Sequence, residues 1–274
     1  MNVVWGALVV AATAAVGIAV MLFVRRRAPE GSYFADGDRA AGVFGVLATG
    51  FSVLLGFIVF LAFTSYDQSR IGAEQEALVL QQQVETAQFF PPAMATELTG
   101  ELICYGRSVV HDEWPRAESG IPADEVNPWG LELFQTVVPF RPASAKDETA
   151  YGKWLDQTSD REGARSDRMH GAVGVIPTPL WIVLILLSVV IFAFMLFFAD
   201  SAERARTQAV LMGSVAIVVT SLLLLINFLD SPFTDGVGGV QPVAMERALD
   251  VIDEALAKAS REVRVPCDAF GRPQ

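Results

Sequence analysis

Two histidines in 274 residues set a low ceiling on imidazole chemistry in this chain. One of them, His111, is followed directly by Asp112 and Glu113, and then by Trp114 and Pro115. A His-Asp-Glu run has the side-chain types for binding a metal or moving a proton. On a helix, however, consecutive residues project about 100° apart, so the three cannot converge without partners from elsewhere. His170 is the only other histidine, which argues against a histidine metal site. The chain also has no GxSxG, HExxH, Walker loop or dinucleotide fingerprint. The cluster is therefore expected to be structural or interfacial, and no catalytic residue, metal or cofactor is expected.

A second pattern is apolar. Val53, Phe57 and Leu61 lie at i, i+4 and i+8, and so do Gly56, Phe60 and Thr64. Around a symmetry axis, several copies of such a row form a hydrophobic ring that gates by dewetting. In a single copy, the same residues simply meet lipid or other helices. Gly42, Gly45, Ala48, Gly50, Ser52 and Gly56 allow close helix contacts and suit oligomer packing. Further on, Asn227 and Asp230 border Pro232 and Phe233, where Asp230 is expected to cap the following turn.

The elements carrying these residues follow from four uncharged apolar stretches: Val3–Val24, Gly42–Phe63, one within Gly171–Ala199, and Thr207–Leu229. About 20 residues at about 1.5 Å each cross a hydrocarbon core of roughly 30 Å. Amphipathic helices of water-soluble cores would break such runs with polar residues. With 52% hydrophobic residues, the chain reads as a four-span protein of the cell membrane whose first partner is the lipid bilayer. The net charge of −11 sits mostly in Thr64–His170 and after Leu229, which argues against nucleic acid.

Orientation follows from the short loops. Arg25, Arg26, Arg27 and Arg39 lie between spans one and two, Arg204 and Arg206 lie between spans three and four, and the head has no Lys or Arg. The positive-inside rule puts both short loops in the cytoplasm, so both termini and the large middle segment are expected outside it. The arginines follow the first apolar run instead of preceding it, the pattern of a retained span rather than a cleaved signal. Cys104 and Cys267 then share one side. In an oxidising compartment they can bridge the tail to the middle domain; two independent thiols are the equal alternative.

The second span continues without punctuation through TSYDQSRIGAEQEALVLQQQVETAQFF to Pro91–Pro92, with Ile71, Leu78, Val79 and Val84 at helical spacing. Further helices are expected over Met94–Trp114 (ended by Pro115), Pro128–Val138, Ala145–Met169 and from Pro242 to about Val263, with a loop over Arg116–Asn127. The first of these should bury Leu98, Leu102, Tyr105, Val109 and Val110. The last has Met245, Leu249, Ile252 and Leu256 on one face and must pack against the middle domain or a neighbouring subunit. The fold class is an all-α membrane protein: four transmembrane helices with an all-helical soluble domain inserted between spans two and three. The expected divisions are 1–64, 65–174, 175–230 and 231–274.

FSVLLGFIVFLAFTSYDQSR (Phe51–Arg70) resembles the bestrophin pattern, in which a glycine-containing second span runs into Tyr-Asp and then Arg on a continuing helix. SVVHDEWP, LDSPFTDGV and QPVAMERAL resemble the bacterial bestrophin-like membrane protein family over most of the chain. The resemblance implies a pentameric ion channel whose second spans line a hydrophobic neck. It makes Val53, Phe57, Phe60 and Leu61 neck candidates and Tyr66, Asp67 and Arg70 the helix continuation. Departures are also present. Gln68 and Ser69 replace the family's aromatic pair, and no acidic run follows Pro232–Phe233, so an animal-type calcium clasp is not implied. Bestrophins keep their helical domain and termini in the cytosol, opposite to the arginine pattern here.

Three readings result: an oligomeric ion channel, a membrane-anchored structural or signalling protein whose helical domain binds a partner, and a membrane enzyme, the weakest for want of a catalytic constellation. The orientation is directly testable. A membrane-impermeant protease or thiol reagent applied to intact cells should reach the C-terminal tail. Protection of the tail until lysis would reverse the topology.

Overall fold

The computed structural model describes residues 3–121, 127–234 and 236–274. Met1 and Asn2 of the head, residues 122–126 of the expected loop, and Asp235 lie outside them. The helices are α1 (Val3–Arg25), α2 (Gly37–Ala87), α3 (Pro92–Ser108), α4 (Trp114–Glu118), α5 (Pro128–Val137), α6 (Ala145–Met169), α7 (Thr178–Phe197), α8 (Ala205–Leu229) and α9 (Val243–Lys258). A π turn, Val109–Glu113, joins α3 to α4. Among the described residues, extended pairing is limited to an isolated bridge between Cys267 and Pro273. The chain forms two compact units. One falls within Met1–Thr64, Val175–Asp230 and Asp235–Gly238; the other comprises Ser65–Gly174, Ser231–Thr234 and Gly239–Gln274.

The first unit holds α1, the apolar part of α2, α7 and α8, which are long and apolar enough to cross a membrane. Only 11–33% of their apolar windows is buried within the chain, so most of that surface requires a non-aqueous neighbour. Lipid tails are as apolar as Leu, so packing rather than water exclusion holds these helices together. Phe51, Leu55 and Ile58 of α2 pack with Leu184 and Ile191 of α7 and Val219 and Ile226 of α8. Small residues let α1 and α8 approach: a side chain added at Gly17 would meet Met212, and one at Gly213 would meet Ile18.

Both short loops of this unit are tied together. Arg25 donates to the carbonyl oxygens of Ser201 and Glu203. The Gly31 amide donates to Asp200, and Tyr33 N–H to the Phe197 carbonyl. Phe34 and Phe44 stack on Phe194 beside them, and Phe198 packs tilted against Phe34. At the end of α8, Asp230 does not cap its following turn as expected. Its Oδ1 accepts from the amides of Val175 (2.7 Å) and Ile176 (2.9 Å), so it holds the entry to α7. Those amides precede a helix start and lack intrahelical partners, which makes a carboxylate their natural acceptor.

In the second unit, Leu98, Leu102, Tyr105, Val109 and Val110 are buried in one core with Trp114, Trp129, Leu133, Trp154 and Phe233. Pro115 does not end the helix. The π turn carries the chain past it: Trp114 N–H bonds back to the Val109 carbonyl, and Pro115 enters the first turn of α4, where its missing N–H costs nothing. α9 stops at Lys258, short of Val263, with Ser260 at φ 51 just beyond. A serine in that left-handed conformation cannot continue a helix. Met245, Ala248 and Ile252 of α9 are buried in the core.

The tail then folds along α3. The Arg264 carbonyl occupies the space that a side chain at Gly100 would need, and residues 107–108 do the same at Gly271, whose φ is 78. Cys104 and Cys267 form a disulfide closing a separation of 163 residues. Long loops gain most from such a link, about 2–5 kcal/mol. Non-reducing electrophoresis should therefore show a mobility change on reduction that Cys267→Ser abolishes, with a lower thermal midpoint. Two alkylatable thiols in native protein would contradict the bond.

Candidate functional site

The apolar row of α2 lies on the face turned away from its packing neighbours. Within the first unit Phe51, Leu55, Ile58 and Ala62 are buried, whereas Val53, Phe57 and Phe60 are 60–68% exposed and Leu61 38% exposed. The helix thus has two apolar faces: one packs on α7 and α8, and the other has no packing partner among the described residues. The Oγ1 of Thr64 donates to the Phe60 carbonyl, so even the polar end of the row is satisfied within the helix. Gly56 has open space around its Cα.

The continuation of α2 belongs to the second unit. Arg70 pairs with Asp67 (2.9 Å) and Glu74 (3.1 Å) on an exposed face, which raises its pKa through the Asp67 hydrogen bond and charge. Exposed helix pairs of this kind add a few tenths of a kcal/mol, so they solvate the face more than they hold the fold. Tyr66 packs half-buried against the core. Ile71 and Leu78 are exposed, and the inner face is built from Ala73, Glu76, Ala77, Leu80 and Gln83.

Glu76 belongs to a buried ionic cluster. Arg168 of α6 is fully buried, donating from Nε to Glu76 Oε2 (2.5 Å) and from Nη2 to Glu113 Oε2 (2.5 Å). Tyr105 donates its hydroxyl to Glu76 (2.6 Å). Arg165 and Asn127 donate to Glu113 at 3.1 and 2.8 Å. Gly72 makes the approach possible, because any Cβ there would collide with the α6 backbone at Arg168. Burial would raise the Glu113 pKa, but the charges of Arg168 and Arg165 outweigh it and the carboxyl is held below its ordinary range. Burial would lower the Arg168 pKa; the carboxylates of Glu76 and Glu113 reverse this and raise it. Tyr105 is pushed up, first by burial and then by the Glu76 charge.

The conspicuous His-Asp-Glu run is split by this geometry. Glu113 points inward, while His111 and Asp112 are exposed. Asp112 pairs with Arg116 (3.1 Å), and His111 packs edge-on against Phe270. Trp114 is buried under Phe233, their rings 5.4 Å apart, and Pro232 packs where Gly171 leaves room. Sequence reasoning missed Glu76, Asn127, Arg165 and Arg168, and also Arg161, which is buried beside them and donates to Gln83 (2.8 Å). The signal was periodic: Trp154, Gln157, Arg161, Ala164 and Arg168 follow one buried stripe of α6. Among the described residues, no group of three His, Cys, Asp or Glu side chains could hold a metal ion.

These features define a class: a helical membrane protein with an outward apolar row on its second apolar helix and an ionic lock in its second unit. The sequence matches the Bestrophin-like domain over residues 8–245, and the chain belongs to that family. No curated protein matches it. The fold is similar to the crystal structure of a bacterial bestrophin homologue from Klebsiella pneumoniae, at 13% identity and TM-score 0.66, covering 95% of this chain and 100% of that one. Two point variants of that homologue match similarly. One gives TM-score 0.67 at 13% identity with 96% and 100% coverage; the other gives 0.65 at 14% identity with 94% and 100% coverage.

Arg168→Met should leave Glu76 and Glu113 buried without their shared cation and cost about 3–5 kcal/mol. Glu113 adds a pH dependence. Its folded pKa lies below its unfolded value of about 4.3, so its stabilisation is present above that value and is lost as pH falls through the folded pKa. Thermal midpoints of purified protein should show wild type losing more stability on acidification than Glu113→Gln. Parallel acid profiles would remove Glu113 from the lock.

Proposed function

We propose that this chain is one subunit of an oligomeric, bestrophin-like membrane channel, with the Val53, Phe57, Phe60 and Leu61 face of α2 forming a hydrophobic neck around a symmetry axis. The observation that carries this reading is the exposure of that face, unpartnered among the described residues, beside the packed Phe51, Leu55 and Ile58 face. A ring of large apolar side chains stays dry when narrow and so blocks ions without a charged gate. Membership in the Bestrophin-like family supports the reading, and by resemblance the assembly is a pentamer conducting ions.

The second unit, with α3–α6 and α9, is the soluble domain in this proposal, and it lies with both termini outside the cytoplasm. The arginines of the two tied loops support cytoplasmic placement of those loops. The Cys104–Cys267 bond supports an oxidising environment for the second unit. A second reading, a membrane-anchored protein that binds a partner, draws on the exposed stripe of Leu131, Phe134 and Val138 on and just beyond α5.

Phe57→Ala separates the readings. If Phe57 faces a pore, the variant should remain folded and raise ion flux into liposomes several-fold. A stable variant with unchanged flux, in a protein that cross-linking shows to be monomeric, would end the channel reading and favour the anchored domain.

A further inference from the structure

Among the described residues of the second unit three glutamates are buried, of which two are paired with arginine and one is not. Glu76 and Glu113 share Arg168. Glu101 of α3 is 5% exposed; its Oε1 accepts from Thr136 of α5 (2.8 Å), and its Oε2 is buried with no hydrogen-bond donor among the described residues. A buried, half-satisfied carboxyl is costly, and this one stands in the wall of a cleft.

That cleft, of about 540 Å³, is lined by Glu97 and Glu101, one turn apart on α3, by Trp129 and Glu132 of α5, and by Arg264 and Pro266 of the tail. Three carboxylates against one guanidinium leave it negative. The wall is built rather than incidental. Trp129 is fixed by its indole N–H to the Gly271 carbonyl (2.6 Å). The tail is clasped by Gln274 N–H to the Pro266 carbonyl (3.1 Å), and the Cys267–Cys104 bond pins it to α3 beside Glu101.

We propose that this cleft binds a small organic cation carrying N–H donors, a primary ammonium or guanidinium, whose charged head donates to Glu101 while its aliphatic part lies along Trp129 and Pro266. The chemistry argues for that class over a bare metal. The volume falls in the range of roughly 300–1,000 Å³ common to small-molecule pockets. No three-ligand acidic group suited to a metal is present among the described residues. Burial, partly offset by the Thr136 hydrogen bond and reinforced by the charges of Glu97 and Glu132, pushes the Glu101 carboxyl up to about 7. An incoming cation supplies the positive charge that environment lacks, and its N–H groups donate to the carboxyl as the side chain turns toward the cleft. Glu97 from α3, Glu132 from α5 and Arg264 from the tail are the charged groups lining the cleft with it. This site is independent of the neck and of any conductance.

The test is calorimetric titration of the full-length, oxidised protein in detergent with 1,4-diaminobutane, and separately with tetramethylammonium and calcium chloride. Saturable binding of the diamine, weakened at least tenfold by Glu101→Gln and tightening as pH rises through about 7, is the expected result. Tetramethylammonium has the charge but no N–H donor and should bind at least tenfold more weakly than the diamine. Absence of saturable diamine binding, equal binding of tetramethylammonium, preferential calcium binding, or indifference to Glu101→Gln would each overturn the proposal. Should Glu101→Gln fail to fold, the exposed Glu132→Gln decides: a loss of about threefold or more supports the site, and unchanged affinity refutes it.

Discussion

Arg168 sets the constraint on which the second unit depends. A fully buried guanidinium is tolerable only when carboxylates replace the water it has lost, and here two do so from two different elements, α2 and the π turn. With Arg165 added, the Glu76, Glu113, Arg165 and Arg168 group is formally neutral. That balance fixes register more strictly than apolar packing would. Sliding α6 by one helical turn, about 5.4 Å, would strand the cation and expose both carboxylates to an apolar core, whereas a Leu in its place would find another apolar neighbour. Gly72 and Gly171 belong to the same constraint, because side chains there would displace α6 or its exit from the position Arg168 requires.

The π turn is best understood beside this lock. Pro115 cannot donate to an α-helical ladder, and its ring would press on the preceding turn. Widening the turn over Val109–Glu113 relieves that conflict and lets Glu113 and Trp114 both point inward, one to Arg168 and the other to Phe233. Trp114 also lies 5.4 Å from the Arg168 guanidinium carbon, so the aromatic wall and the ionic cluster are one packing solution. His111 and Asp112, the residues that look most chemical in sequence, are left at the surface.

What could be read from sequence followed from signals with a single physical cause. Four uncharged runs have no cheap alternative to a membrane, and the uninterrupted stretch after Phe63 becomes helix because nothing in it breaks one. The ionic lock was illegible for the opposite reason. Arg161, Arg165 and Arg168 sit on a helix rich in exposed polar residues, where charge ordinarily signals solvent, and only the in-phase Trp154 and Ala164 mark the stripe as buried. The partner of Asp230 was equally hidden, since the amides of Val175 and Ile176 are more than fifty residues away. The openness of Glu101 depends on which donors fail to arrive, and that is a property of three-dimensional packing alone.

The two units solve their burial problems by different means, and this bears on where each can operate. In the first, large apolar side chains such as Val53 and Phe57 stay outside the chain's own core without penalty only while lipid or another subunit surrounds them. The second buries charge, pairs it, and adds a covalent tie between α3 and the tail. A disulfide persists where no reducing pool reaches it, whereas an ionic lock works in any aqueous compartment. The tie is therefore the discriminating feature. It is compatible with a second unit facing an oxidising space, the placement we propose from the clustered arginines of the short loops and the positive-inside rule.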